Sequence, residues 1–149
     1  MTHVTVISVQ RDKQNAAAAL LVAQMSEHRI QHRHEDLLGI VTEVCADDSR
    51  GFLLLAELDG QAVGIAYVAT ILSIEHAGVV GWLEELYVLP EHRQRGIGTT
   101  LLDAAIARAR TIGLVALDLE VDIEHKRAES FYARLGFGRL PRSRWVKVL

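Results

Sequence analysis

Cysteine, proline and long apolar runs are what this 149-residue sequence has least of. Its one cysteine, Cys45, cannot form an internal disulfide, and no CxxC pair exists to build a zinc module. No window approaches the ~18 uninterrupted apolar residues of a membrane span. The N-terminal stretch MTHVTVISVQRDKQ lacks the basic-then-apolar order of a secretory signal, so a cytoplasmic location is expected. A net charge of −3 argues against general nucleic-acid binding. No repeat, low-complexity run or Pro/Gly/Ser linker interrupts the chain, and residues 1–149 read as a single domain.

The net charge hides an asymmetry. Residues 1–90 carry 5 Lys/Arg and 12 Asp/Glu, whereas residues 91–149 carry 11 and 7. Two sides with opposite duties, or charge falling unevenly on a solvated surface, both explain this.

Hydrophobic periodicity orders the elements. Val4 to Val9 is β-rich, Asn15 to His28 has helical spacing through Leu20, Leu21, Ala23 and Met25, and Glu35 to Cys45 repeats it through Leu37, Leu38, Val41 and Val44. Three strands follow, Phe52 to Glu57, Ala62 to Leu72 and Val79 to Leu89, with Asp59-Gly60 as a hairpin turn and Pro90 as a stop. Gly98 to Ile112 is helical, with Gly113 as its cap. Leu114 to Val121 reads as a buried strand, Lys126 to Leu135 as a helix stopped by Gly136, and Phe137 to Leu140 and Arg144 to Val148 as closing strands. This order is α+β, with a strand–helix–strand crossover from Val79 to Val121.

Between that strand and helix lies Arg93-Gln94-Arg95-Gly96-Ile97-Gly98-Thr99-Thr100. Gly96 and Gly98 permit a tight turn and close backbone approach. Unpaired N–H groups at a helix start, with the helix dipole, attract an anion. Arg93 and Arg95 add charge, and Thr99 or Thr100 a hydroxyl. Neither a Walker loop nor a Rossmann fingerprint is present. A sharp turn with solvated arginines is the plainer reading of the loop taken alone.

The segment from Trp82 to Gly98, WLEELYVLPEHRQRGIG, resembles the acyl-CoA-binding segment of the GCN5-related N-acetyltransferase superfamily, with its Arg/Gln-x-x-Gly-x-Gly/Ala pattern. Ala128-x-x-Phe131-Tyr132-x-x-x-Gly136-Phe137 resembles that family's late helix. Leu83-Glu84-Glu85 to Gly98, followed by Tyr132 and Trp145, is most similar to the diamine (spermidine/spermine) acetyltransferase branch. The resemblance implies a mixed central sheet of six to seven strands flanked by about four helices. It implies acetyl-CoA as co-substrate, no metal, and direct transfer to a primary amine in a ternary complex. Under it, Glu84 takes the amine's proton through water, Glu85 lines the amine site, and Tyr132 is the general acid. Leu86, Tyr87 and Val88 offer backbone groups to the pantetheine, and Gln94, Arg95, Gly96, Ile97, Gly98 and Thr99 cradle the pyrophosphate. His125 stands where the family has Asn; it retains one hydrogen-bond donor.

Chemistry agrees with this set. An amine arrives largely as ammonium, of pKa about 10.4 for a lysine-like group, and must lose a proton to a nearby carboxylate or its water. Neighbouring strand residues point to opposite faces, so either Glu84 or Glu85 enters a given pocket unless the strand is bulged. Tyr132 is a proton donor to the departing thiolate or a core aromatic. Trp145 is core or a wall of the acceptor pocket, and the closing strands that carry it are the expected dimer interface. His28 and His32, spaced to share a helix face, lack a firm third metal ligand; with His34, Glu27, Glu35 and Asp36 they border the acceptor side or are solvated. Lys126, Arg127 and Arg134 reach a 3′-phosphate or face solvent. A protein or peptide N-acetyltransferase, a non-catalytic acyl-CoA-binding module and a histidine-based metal hydrolase are the alternatives.

Overall fold

A computed structural model describes residues 3–149. They form two compact units, one ending at Leu119 and the other running from Glu120 to Leu149.

The first unit is built on a five-stranded sheet: β1 (Val4–Ser8), β2 (Gly51–Leu58), β3 (Gln61–Ser73), β4 (Gly78–Val88) and β5 (Leu117–Asp118), in that spatial order. β1 to β4 pair antiparallel, and β5 joins β4 in parallel. Asp59 and Gly60, with φ of 51° and 81°, form the double left-handed turn that matches strand twist between β2 and β3.

Strand alternation sorts side chains to two faces. Leu53, Leu55, Ile65 and Tyr87 meet α1 (Gln14–Glu27) and α2 (His34–Ala46), which contribute Ala17, Ala18, Leu20, Leu21, Leu37, Val41 and Val44 to one buried cluster. The opposite face receives α3 (Ile97–Thr111): its Arg108 lies over the Phe52 ring, and fully buried Leu101 packs over Gly64. α3 thus starts where β4 ends and crosses the sheet to β5.

The second unit contains α4 (Lys126–Arg134), which buries no residue fully. Tyr132 meets Phe131 and Phe137 edge to face, with centroids 5.2 and 5.7 Å away.

The four helices and the mixed sheet agree with expectation, but among the described residues the strand count is five rather than six to seven. Phe137 to Leu140 and Arg144 to Val148 are not strands, and Leu114 to Val121 shrinks to Leu117–Asp118. A strand exists through its ladder, and none forms beyond β5 among the described residues. Pro141 removes a donor between the two closing segments, and apolar residues at 145, 146, 148 and 149 do not alternate. Trp145 is 89% exposed, which corrects its core reading; its indole N–H donates to Ser143 Oγ (3.1 Å).

Candidate active site

β4 changes neighbours along its length. Its first half is held on both edges, by β3 and by β5, which pairs at Gly81 and Trp82; Gly81 N–H donates to Ala116 O (2.9 Å). From Leu83 onward no strand among the described residues pairs with the β5-side edge. Residues of an antiparallel strand direct their backbone groups to alternate edges. Leu89 N–H donates to Val63 O (2.9 Å), so Tyr87 turns its groups towards β3, and Leu86 and Val88 turn theirs to the open edge.

A β-bulge lies where this opening begins. Glu85 pairs with Tyr67 and Leu83 with Val68, leaving Glu84 as the extra residue. The strict alternation that would send Glu84 and Glu85 to opposite faces is therefore broken here. Glu84 is exposed and Glu85 half-buried. Burial, then the Glu84 charge, pushes the Tyr67 phenol above its usual value, and Arg50 opposes the shift. Tyr67 escaped the sequence reading, because only the register of β3 against β4 shows that it faces these carboxylates.

Past β4, the chain turns at Pro90 to His92 and reaches the loop from Arg93 to Gly96 that leads into α3. Gln94 has φ of 61° and Gly96 of 79°, both left-handed. Such turns aim successive N–H groups into one concavity. Gly96 is the N-cap of α3 and offers no side-chain cap. Thr100 N–H makes the first helical bond, to Gly96 O, so the N–H groups of Ile97, Gly98 and Thr99 lack helical partners. The Thr100 hydroxyl also turns back to Gly96 O (3.0 Å), which leaves Thr99 as the hydroxyl available to a ligand. Arg95 is exposed and forms no ion pair among the described residues.

Arg93 and Glu27, expected on the donor and acceptor sides respectively, are partners. Arg93 Nη2 donates to both Glu27 oxygens (2.9 and 2.7 Å), and Nε donates to Val88 O (2.8 Å). The guanidinium stands 5.4 Å from the Tyr87 ring centroid. Burial and the Glu27 charge push the Tyr87 phenol up, with Arg93 opposing. The pair ties the end of α1 to the end of β4 and occupies the Val88 carbonyl. One turn earlier, Gln24 is buried on the inner side of α1, and its amide oxygen has no partner among the described residues. Sequence reasoning missed it because polar residues rarely take a core position.

In the second unit, His125 is the exposed N-cap residue of α4, and its carbonyl accepts from Glu129 N–H (3.2 Å). Tyr132 is half-buried between its two aromatic neighbours. α1 ends at Glu27, so His28 caps it and His32 lies in the following loop; they share no helix face. His34 begins α2 and contacts Asn15 Oδ1 (3.1 Å). No group of three or more His, Cys, Asp or Glu side chains placed to hold a metal occurs among the described residues.

The model of the acetyltransferase (GNAT) family matches residues 15–137. The chain is 38% identical over 91 residues to an uncharacterised N-acetyltransferase of Methanocaldococcus jannaschii, covering 60% of this chain and 40% of that one. It is 35% identical over 83 residues to the aminoalkylphosphonate N-acetyltransferase of Salmonella typhimurium, covering 56% and 54%. The chain thus matches about half the length of these relatives. Among solved structures, the aminoglycoside N-acetyltransferase AAC(6′)-Iy in complex with CoA superposes with a TM-score of 0.87 at 20% identity, covering 99% of this chain and 96% of the other.

Proposed function

The chain belongs to the GNAT acetyltransferase family, and from that premise we propose that it is an acetyl-CoA-dependent N-acetyltransferase of a small primary amine. The observation that carries this reading is the continuity of an open β4 edge, a bulge at Glu84 and an uncapped α3 start reached through left-handed Gln94 and Gly96. Three free N–H groups, the helix dipole and Arg95 fit a pyrophosphate. Leu86 and Val88 N–H groups on the open edge fit the amide groups of a pantetheine arm. The amine acceptor is supported by the Salmonella relative, named for acetylating an aminoalkylphosphonate.

When bound, acetyl-CoA supplies an activated thioester. Glu84, freed from strand alternation, takes the proton of the incoming ammonium directly or through one water, and Glu85 and Tyr67 border the same approach. Backbone N–H groups beside the bulge polarise the thioester carbonyl, worth ~3 kcal/mol per donor. The resemblance of Ala128 to Phe137 to the family's late helix gives Tyr132 the role of proton donor to the leaving thiolate and His125 that of a donor to the pantetheine. The resemblance of Leu83-Glu84-Glu85 to Gly98 to the diamine branch supports a polyamine as one such acceptor.

A thiol-release screen of acetyl-CoA against polyamines, aminoglycosides, amino acids and peptides tests the reading, with turnover expected for a free amine. Turnover confined to peptides would replace the small-molecule acceptor. CoA binding without thiol release for any acceptor would make the chain a binding module. Glu84→Gln is expected to lower kcat about 10²–10⁴-fold and Tyr132→Phe to lower it while acetyl-CoA affinity is largely retained. Gly96→Val, forced to a left-handed φ, is expected to weaken acetyl-CoA binding at least about tenfold by calorimetry.

A further inference from the structure

Beside the β4 bulge, a cleft of about 520 Å³ opens between the end of α2, the turn at residues 47–50 and β3. Its polar lining is Glu43, Asp47, Ser49, Arg50, Tyr67 and Thr70. That volume suits a small molecule. Tyr67 joins the cleft to the bulge, since its ring lines the cleft while its register partner is Glu85 and its phenol feels both Glu84 and Arg50. Tyr67 and Thr70, which both line the cleft, are three residue steps apart on β3, about 10 Å, more than one ammonium group needs.

The carboxylates are set in place, and the chain's own cation stands over them. Ser49 N–H and Oγ both donate to Asp47 Oδ1 (3.0 and 2.6 Å), leaving Oδ2 turned to Arg50. Arg50 Nε stands 3.8 Å from Asp47 Oδ2, and its Nη2 3.7 Å from Glu43 Oε2. A charge-assisted hydrogen bond would be about 2.7–2.9 Å, so this guanidinium is held loosely and is more than half exposed. Two carboxylates against one guanidinium leave the cleft negative, and the Glu84 charge felt by Tyr67 extends that field towards the bulge.

We propose that this cleft is the subsite for the distal ammonium of a polyvalent amine, and that Arg50 is a built-in competing cation which such an acceptor displaces. This rests on the reading that an amine reacts beside Glu84. A monoamine places its only ammonium at the bulge and gains nothing from the cleft. A diamine or polyamine reaches Asp47 and Glu43 with its second charge and exchanges one loose ion pair for another, better seated. Arg50 thereby sets how strongly the acceptor's second charge counts.

Calorimetry with spermidine and butylamine, in the presence of CoA, reads the subsite without turnover. Arg50→Gln is expected to raise the ratio of spermidine to butylamine affinity about fivefold, the scale of an exposed ion pair, and Glu43→Gln to lower it comparably. Arg50→Lys keeps the charge and is expected to keep the wild-type ratio. An unchanged or lower ratio in Arg50→Gln, a raised ratio in Arg50→Lys, or no spermidine binding to wild type and Arg50→Gln alike would overturn the proposal. Acetyl transfer from acetyl-CoA is measured beside it: spermidine that binds with these ratios but is never acetylated leaves the subsite standing and refutes the acetyltransferase reading, whereas acetylated butylamine with unchanged ratios does the reverse.

Discussion

Gln94 carries a backbone conformation that its side chain disfavours. A left-handed residue with a Cβ costs on the order of 1–2 kcal/mol, and here the cost aims the loop's N–H groups inward. Gln94→Gly removes that strain but loosens the unfolded chain by about 0.4–1 kcal/mol. A net gain of about 0.5–1 kcal/mol is expected, read as a rise of about 1–4 °C in melting temperature. A fall would show that the conformation is unstrained. The sequence marked this loop through Gly96 and Gly98, whose freedom is a property of the residue type. It could not mark Gln94, whose φ is imposed by neighbours, nor reveal that Arg93 turns to Glu27, 66 positions away. Both facts depend on which groups folding brings within reach.

α3 shows how an element transmits packing to a site. Its buried stripe, Ile97, Leu101, Leu102, Ala105 and Ala109, has the 3.6 period legible in the sequence, and that stripe seats the helix start beside the end of β4. Leu101→Ala removes a fully buried side chain from over Gly64 and is expected to cost about 3 kcal/mol. Thermal melting should fall by roughly 6–12 °C. A drop of a degree or two would mean that α3 is not anchored there. β4 is the opposite case. Its apolar composition made a strand legible, but the bulge at Glu84 and the loss of a neighbour after Trp82 are pairing events between segments far apart in sequence. The closing strands expected after Phe137 failed for the same reason, since β-rich composition supplies no partner edge.

At the scale of the molecule, charge sets a pH window for stability. Arg33 donates to Asp36, and Ser49 to Asp47, and each bond holds its carboxyl below the usual range. A depressed folded pKa lends stability that is present above the unfolded value near 4 and is lost as pH falls through the folded one. Burial raises Tyr67 and Tyr87, so their contribution is complete below about pH 10 and is lost as pH rises through the folded values. Urea denaturation from pH 2 to 11 is expected to show a neutral plateau with both limbs falling, and Asp47→Asn should flatten the acid limb. An acid limb unchanged in that variant would remove Asp47 from the account. The acidic first 90 residues now hold the bulge carboxylates and the cleft beside them, while the basic remainder opens with the loop that leads into the uncapped start of α3. The sequence by itself determined the helices, the β2–β3 turn and the loop before α3, because periodicity, turn chemistry and glycine act over a few neighbouring residues. Only the tertiary structure decided the β4 bulge, the open edge, the Arg93–Glu27 clasp and the Arg50 cleft, because each is a contact between segments whose register and distance no local pattern encodes.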